Sequence, residues 1–303
     1  MNSFPENSKL SCIICGSENP SLLYPLSLYG QLGAGGVPGN IFQCENCGMI
    51  FKRIRGNPVT YYDDTYADAV LKNGKYVRSR STFSLCHTIL EHECIQQIMQ
   101  TSDPVSLDIG CGAGSFLEVV RSCGFDAEGL DVSPMLADKA RGKGFRVYVG
   151  DVESIELTRK YDLITMIDIL EHLPNPVSVM KRLRGYLKAN GHLVVYTPNH
   201  RSLLVKIADI LWNWGIRKPV TDIFGSLHVA FYTPETLQKL LVSSGFLTVH
   251  WQVMPYDTRR PGQPVSPVQL AAIRLIETLG MKLQHNGFRM TVYAKKTGKP
   301  VYA

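Results

Sequence analysis

From Pro104 onward the chain switches between two rhythms of apolar and polar positions. Apolar runs at Val105 to Asp108, Ala127 to Asp131, Phe145 to Val149, Tyr161 to Ile167, His192 to Thr197, Phe246 to Met254 and Phe288 to Ala294 predict seven strands. The stretches between them carry apolar residues at helical spacing. Val177, Met180, Leu183 and Leu187 form one such stripe, while Lys181, Arg182, Arg184 and Lys188 fall off it as a solvated face. Ser133-Pro134, Asn175-Pro176 and Thr233-Pro234 each set a capping side chain before a proline at the first helical position, and Gly124 and Gly245 suit helix ends. Strands alternating with helices predict an α/β fold with a doubly wound parallel sheet covered on both faces. The last two strands, separated by a helix from Pro267 to Gln284, are expected as an edge pair.

Residues 1–56 break this rhythm. They are rich in Gly, Pro and Cys, with a loop at 30–40 and two C-x2-C-G units, Cys12 to Gly16 and Cys44 to Gly48. Four thiolates so spaced suit tetrahedral zinc, and the glycine after each pair permits the turn that points amides at sulfur. Four cysteine ligands fill the coordination sphere, so the expected role is structural: a small separate zinc ribbon on Cys12, Cys15, Cys44 and Cys47. Residues 57–100 read as a helical linker, with Tyr61, Tyr62 and Tyr66 packing between modules and a helix from about Ser79 to Gln100. The third domain, 101–303, carries an insertion at about 201–227, expected as a lid over an acceptor. There Leu203, Leu204, Ile207, Ile210, Leu211 and Trp214 make an apolar stripe.

Composition narrows the class. With 303 residues, 45% hydrophobic and 19% charged, the chain is neither disordered nor fibrous and has room for about two domains. Lys and Arg number 32 against 26 Asp and Glu, and the net charge of +6 tolerates anionic partners but falls short of a dedicated nucleic-acid binder. There is no transmembrane-length apolar stretch and no signal-peptide pattern at the N-terminus, so a cytoplasmic location is expected. Eight cysteines in such a chain point to metal rather than disulfides.

The chemistry concentrates after the first strand of the alternating region. Asp108-Ile109-Gly110-Cys111-Gly112-Ala113-Gly114-Ser115 leads from strand to helix and bares backbone to a ligand. Asp131, about twenty residues on, ends the second strand, where a carboxylate can accept from ribose hydroxyls. Asp151, after the third strand, suits the exocyclic amine of adenine. A dinucleotide is disfavoured, because Ser115 stands where the third glycine of a pyrophosphate loop belongs and Asp108 would repel phosphate. Asp108 would attract an ammonium, and S-adenosylmethionine has one and no phosphate. Cys111 reads as a small packing residue.

On DIGCGAG, LDVS, GDVE, YDLI and IDILEHLPNP the chain resembles the class I S-adenosylmethionine-dependent methyltransferases over about residues 105–200. HVAFYTPETLQKLLVSSGF is similar to the late helix and strand of that superfamily, and the ribbon with its YYDD linker resembles a bacterial subgroup acting on sugars and natural products. The resemblance implies a seven-stranded Rossmann-like sheet. It also implies that Asp108, Gly110, Gly112 and Gly114 hold the methionine end, Asp131 the ribose, and Asp151 with Val152 the adenine. Asp168, Glu171 and His172 resemble the E-x-x-E-H of ubiquinone-pathway O-methyltransferases, which is associated with a divalent metal, with Asp in place of the first Glu.

Methyl transfer from a sulfonium is an in-line displacement that needs alignment and exclusion of water, and a hydroxyl acceptor also needs a base. His172, His200 and His228 are the candidates. The expected activity is methylation of a small-molecule acceptor (sugar, natural product or phenolic) on oxygen or carbon. Two other readings stand beside it: an RNA or tRNA methyltransferase gripping nucleic acid through the ribbon, and a non-catalytic scaffold. Lys9, Lys52, Arg53 and Arg55 are the ribbon's only basic residues, which argues against nucleic acid. The bare glycine loop argues against a scaffold.

Overall fold

A computed structural model describes residues 10–26, 39–53, 87–225, 227–255, 266–284 and 286–297. The N-terminal segment contributes β1 (Pro20–Tyr24), β2 (Ile41–Cys44) and β3 (Ile50–Lys52), paired antiparallel in that order. Tyr61, Tyr62 and Tyr66 lie outside the described residues. The helix expected to run to Gln100 is interrupted. His92 adopts an extended backbone and caps a new helix, α1 (Glu93–Met99), its Nδ1 accepting from the Cys94 N–H at 3.3 Å.

The alternating region follows as β4 (Val105–Ile109), α2 (Ser115–Ser122), β5 (Asp126–Asp131), α3 (Pro134–Arg141), β6 (Arg146–Val149), β7 (Tyr161–Ile167), a 3-10 turn at Leu170–His172, α4 (Pro176–Tyr186) and β8 (Leu187–Pro198). The chain ends with α5 (Leu203–Asn213), α6 (Lys218–Phe224), β9 (Ala230–Phe231), α7 (Pro234–Ser243), β10 (Phe246–Met254), α8 (Pro267–Gln284) and β11 (Arg289–Lys296). Among the described residues no helix is long and apolar enough to cross a membrane.

The seven expected strands form one sheet in the order β10-β11-β8-β7-β4-β5-β6. Its five central and β6-side strands run parallel, which leaves both faces to be covered. Alternation along the strands divides the core accordingly: Ile164, Met166, Leu193 and Val195 face one layer, while Leu163, Val194 and Tyr293 face the other with Ile95 and Phe116. Each fully buried aliphatic side chain is worth about 1.5–3 kcal/mol. The sheet is mixed rather than wholly parallel, because β11 lies antiparallel between β8 and β10. Burial explains the placement. β11 buries both of its faces, whereas β10 leaves Leu247 60% exposed and so takes the edge.

Local signals set several boundaries. Ser133 Oγ accepts from the Leu136 N–H at 3.3 Å, and Thr233 and Thr236 cap each other's backbone. Asn175 makes no such cap and instead donates to Glu153 Oε2 at 2.9 Å. Leu187 begins β8 rather than ending the α4 stripe. Arg182 and Arg184, expected on a solvated face, reach back to the carbonyls of Ser154 and Gly245.

The cysteine-bearing segment, expected as a separate module, is continuous with the rest of the molecule. β3 pairs antiparallel with β9, Ile50 opposite Phe231 and Phe51 opposite Ala230, so that one four-stranded sheet holds strands from both ends of the chain. Cys12, Cys44, Met49 and Phe51 share a core with Ile109 and Leu240. The insertion packs on the same segment. Val205, Ala208 and Trp212 form its buried face, the Tyr24 ring lies 5.1 Å from both Trp212 and Phe224, and Tyr24 OH donates to Asp209 Oδ1 at 2.8 Å. The expected stripe is therefore not the buried face: Ile210 stays 51% and Trp214 77% exposed. The partner that sets the helix's rotation comes from another part of the chain.

Candidate active site

At the end of β4 the chain must turn sharply into α2. Gly110 takes φ +74°, a conformation costly for any residue with a Cβ, and a Cβ there would lie 2.0 Å from Ile169 Cδ1. The turn is tied to β5. Gly110 and Cys111 donate to the Leu130 carbonyl at 2.7 and 3.1 Å, Gly112 N–H to Asp131 Oδ2 at 2.7 Å, and Ser133 N–H to Asp131 Oδ1 at 2.9 Å. Asp131 thus clamps the loop and still keeps a lone pair on each oxygen for a ligand.

A cleft of about 860 Å³, counting its open mouth, runs along this edge, and Gly110, Asp131, Asp151, Val152, Asp168 and His172 are in its wall. Asp151 Oδ1 accepts from the Glu153 N–H at 2.9 Å, which fixes its carboxylate at the rim. Asp108, Gly112 and Gly114 stand behind that wall. Burial pushes the Asp108 carboxyl up to about 7, opposed by the 2.7 Å hydrogen bond from Thr165 and assisted by the negative charge of Asp131. Burial also raises Asp131 despite the backbone N–H groups of Ser133, Gly112 and Val132. Cys111 is buried, with its Sγ where a Cβ on Gly129 would fall, and serves packing.

Across the cleft, the strand ends of β7, β8 and β11 converge. Asp168 is one of two non-glycine residues with positive φ among the described residues, and Arg289, largely buried, pairs with it while lying over the Tyr196 ring at 5.3 Å. Glu171 is buried; its Oε2 accepts from Thr197 Oγ at 2.8 Å, and burial, reinforced by Asp168, lifts it to about 8 against the pull of Arg289. The rings of His172 and His228 meet edge to face at 4.8 Å. Both keep some open surface, yet the dense protein around them holds His172 down to about 4 and His228 well below the usual imidazole value. Asp168, Glu171 and His172 do not gather as a metal-binding triplet, since Asp168 is held by Arg289. Glu171, His172 and His228 are the three whose donor atoms lie within 4.8 Å of one another.

His200 is placed elsewhere. It is buried among Phe231, Phe224 and Phe288 at 5.0, 5.4 and 6.0 Å, and burial lowers it to about 3. It is not in the cleft wall. Two residues the sequence does not mark as site residues act on the histidine pair: the charges of Lys52 and Arg289 both oppose protonation of His172 and His228. The Lys52 N–H donates to the Val229 carbonyl and the Val229 N–H to the Glu171 carbonyl, each at 2.8 Å, so β3 and the segment that carries His228 are tied to the 3-10 turn that carries His172. In the sequence Lys52 reads only as one of the ribbon's four basic residues, with nothing to mark it for the site.

The four cysteines expected to bind zinc come together. Their sulfurs lie within 4.8 Å of one another, with Cys12 to Cys47 at 3.4 Å and Cys15 to Cys44 at 3.5 Å. A tetrahedral Zn–S site with bonds of about 2.3 Å has S–S edges of about 3.8 Å, so the donor set fits the metal. Gly16 and Gly48 N–H groups close each turn on the carbonyls of Cys12 and Cys44, at 3.0 and 2.8 Å.

A family model described as a methyltransferase domain matches residues 84–250. The ubiquinone biosynthesis O-methyltransferase of Marinobacter nauticus is 31% identical over 131 residues, 39% of this chain and 55% of that protein. The mitochondrial enzyme of the same description from Schizosaccharomyces pombe is 33% identical over 113 residues, 34% of this chain and 41% of its own length. The chain thus spans about half the length of these curated relatives. The solved magnesium protoporphyrin IX methyltransferase of Synechocystis, with S-adenosylhomocysteine bound, aligns over 79% of this chain and 100% of its own at 13% identity and a TM-score of 0.53, a likeness of fold.

Proposed function

The chain belongs to the methyltransferase-domain family, and from that premise we propose that it transfers the methyl group of S-adenosylmethionine to oxygen or carbon of a small-molecule acceptor. The observation that carries the reading is the glycine turn clamped onto Asp131 with the buried carboxyl of Asp108 behind it. Carboxylates on this edge suit an adenosine with a cationic tail and oppose a pyrophosphate.

Bound there, S-adenosylmethionine supplies an electrophilic methyl on sulfur. The protein supplies alignment and dryness. Asp131 accepts from the ribose hydroxyls, Asp151 and Val152 border the adenine, and Gly110 lets the backbone approach the methionine portion. Gly112 and Gly114 shape the turn, and Asp108 answers the ammonium. Ile169, His172 and Leu173 close the cleft wall toward the acceptor. His172 or His228, neutral at pH 7, takes the proton of a hydroxyl acceptor. The four cysteines hold zinc as a structural ion. The ribbon's Lys52 is withdrawn from the surface at 4% exposure, which weakens the nucleic-acid reading further.

The test is calorimetry with S-adenosylmethionine and S-adenosylhomocysteine, followed by incubation of a metabolite extract with labelled donor. Binding and label transfer to one compound are expected. No binding of either ligand at high micromolar concentration would remove the reading.

A further inference from the structure

Two walls of the donor cleft are bridged by a single side-chain hydrogen bond. Glu153 lies in the wall that follows β6 and Pro174 in the wall that follows the 3-10 turn. From the residue after Pro174, Asn175 Nδ2 donates across to Glu153 Oε2 at 2.9 Å. Asn175 stands at the N-cap of α4, where an asparagine oxygen ordinarily accepts from the first N–H groups of the helix, and here it makes no such bond. Its side chain is committed to the opposite wall instead.

The backbone around that bond has little freedom. Pro174 and Pro176 each fix their own φ and restrict the residue before them, Leu173 and Asn175. The loop opposite is gripped by the same helix: Arg182 Nη2 donates to the Ser154 carbonyl at 3.1 Å and to Glu156 Oε1 at 2.9 Å, and Tyr186 OH accepts from the Leu157 N–H at 3.2 Å. Asn175, Arg182 and Tyr186 succeed one another at helical spacing along one face of α4. Arg182 and Tyr186 anchor the part of the loop that lies beyond the cleft wall, whereas the bond between exposed Asn175 and half-buried Glu153 crosses the cleft itself. Asp151 is coupled to it, since Asp151 Oδ1 accepts from the Glu153 N–H at 2.9 Å. Rotation of one side chain opens the bridge and leaves the anchors in place.

Resting on the methyl-transfer reading, we propose that Asn175 and Glu153 form a latch across the adenine end of the donor cleft, which sets how fast S-adenosylmethionine enters and S-adenosylhomocysteine leaves. Both are positioning residues and touch no reacting atom. The latch explains why Asn175 forgoes its cap, and where product release limits turnover, kcat follows the opening of this bridge.

The experiment measures association and dissociation rates of S-adenosylhomocysteine on the immobilised full chain by surface plasmon resonance. In Asn175→Asp two carboxylates face each other and hold the bridge open, while Asp caps a helix as well as Asn does, so the melting temperature should not fall. Asn175→Asp and Glu153→Ala should each raise both rates about fivefold, the scale of one exposed hydrogen bond, and change the dissociation constant less than about twofold. Glu153→Gln keeps an accepting oxygen and should keep both rates. A rise in dissociation alone would mark a static contact and overturn the latch, as would rates unchanged in folded Glu153→Ala, whether or not Asn175→Asp folds. Glu153→Gln behaving as Glu153→Ala does would overturn it too. Absence of S-adenosylhomocysteine binding to the unmutated protein removes the methyl-transfer reading and the latch together, whereas binding with rates indifferent to these substitutions removes the latch alone.

Discussion

The imidazoles of His172 and His228 meet edge to face, 4.8 Å between centroids at an interplanar angle of 79°, although fifty-odd residues of chain separate them. Burial holds both below the ordinary imidazole range, which favours the neutral imidazole, with one ring nitrogen free to accept a proton, at neutral pH. A base whose pKa is depressed stays competent as pH falls until its own pKa is reached. Methyl transfer to the acceptor identified by label incorporation should therefore show no histidine limb between pH 6 and 8, and a loss from His172 protonation only toward about 4. His228→Gln should lower kcat about a hundredfold with S-adenosylmethionine affinity unchanged. An unchanged kcat in that variant would remove the pair from the chemistry.

Asp131 is asked to do two things. It holds the loop through Gly112 and Ser133, and it faces the cleft. Asp131→Ala should weaken S-adenosylmethionine binding by about 1–3 kcal/mol, the cost of losing charge-assisted hydrogen bonds, and should lower stability through two orphaned backbone N–H groups. Calorimetry and thermal unfolding read the two effects separately. Full affinity in the variant would contradict the ribose assignment.

Asp108 makes donor binding pH-dependent. Burial pushes its carboxyl up to about 7 in the free protein, into the neutral range where its ionisation can respond to a ligand. An incoming ammonium favours the ionised form, the pKa falls on binding, and a proton leaves. Affinity should thus drop as pH decreases from 7, up to tenfold per unit. Calorimetry at pH 7 in buffers of differing ionisation enthalpy should report net proton release on binding, and Asp108→Asn should abolish it. Proton uptake, or a release unaltered by that substitution, would show that another group meets the ammonium.

What could be read from the sequence follows from how local each constraint is. The seven strands are legible because the sheet is covered on both faces and its strands are written as apolar runs. The donor loop is legible because a turn with positive φ at Gly110 leaves its mark as glycine. β9 is not, being two residues long with no periodicity to see. The buried face of α5 is misread from its own pattern, because Tyr24 from β1 decides which side is covered. Lys52 and Arg289 act on the histidine pair because β3 pairs with β9 and β11 with β8, and a residue type alone carries no record of such long-range pairing. His200 follows a Pro-Asn turn that looks exposed, yet three phenylalanines from separate elements enclose it.

The cysteine centre offers a last test of how far that long-range pairing matters. If the ribbon were an appendage, Cys44→Ser would release zinc and loosen residues 10–53 only. Instead, Cys44 ends β2, β2 pairs with β3, and β3 pairs with β9 next to the turn holding His228. Tyr24 of β1 packs on Trp212 and Phe224, and Lys239 Nζ donates to the Cys47 carbonyl at 2.8 Å. Loss of the ion should therefore raise hydrogen exchange in β9, α5 and the N-terminal part of α7 as well as in the ribbon, and should weaken acceptor binding more than donor binding. The glycine loop and Asp131 are tied to β5 rather than to the ribbon, so S-adenosylhomocysteine affinity should survive. Full zinc content in the variant would disprove four-thiolate coordination, and exchange confined to residues 10–53 would disprove the mechanical link between the two ends of the chain.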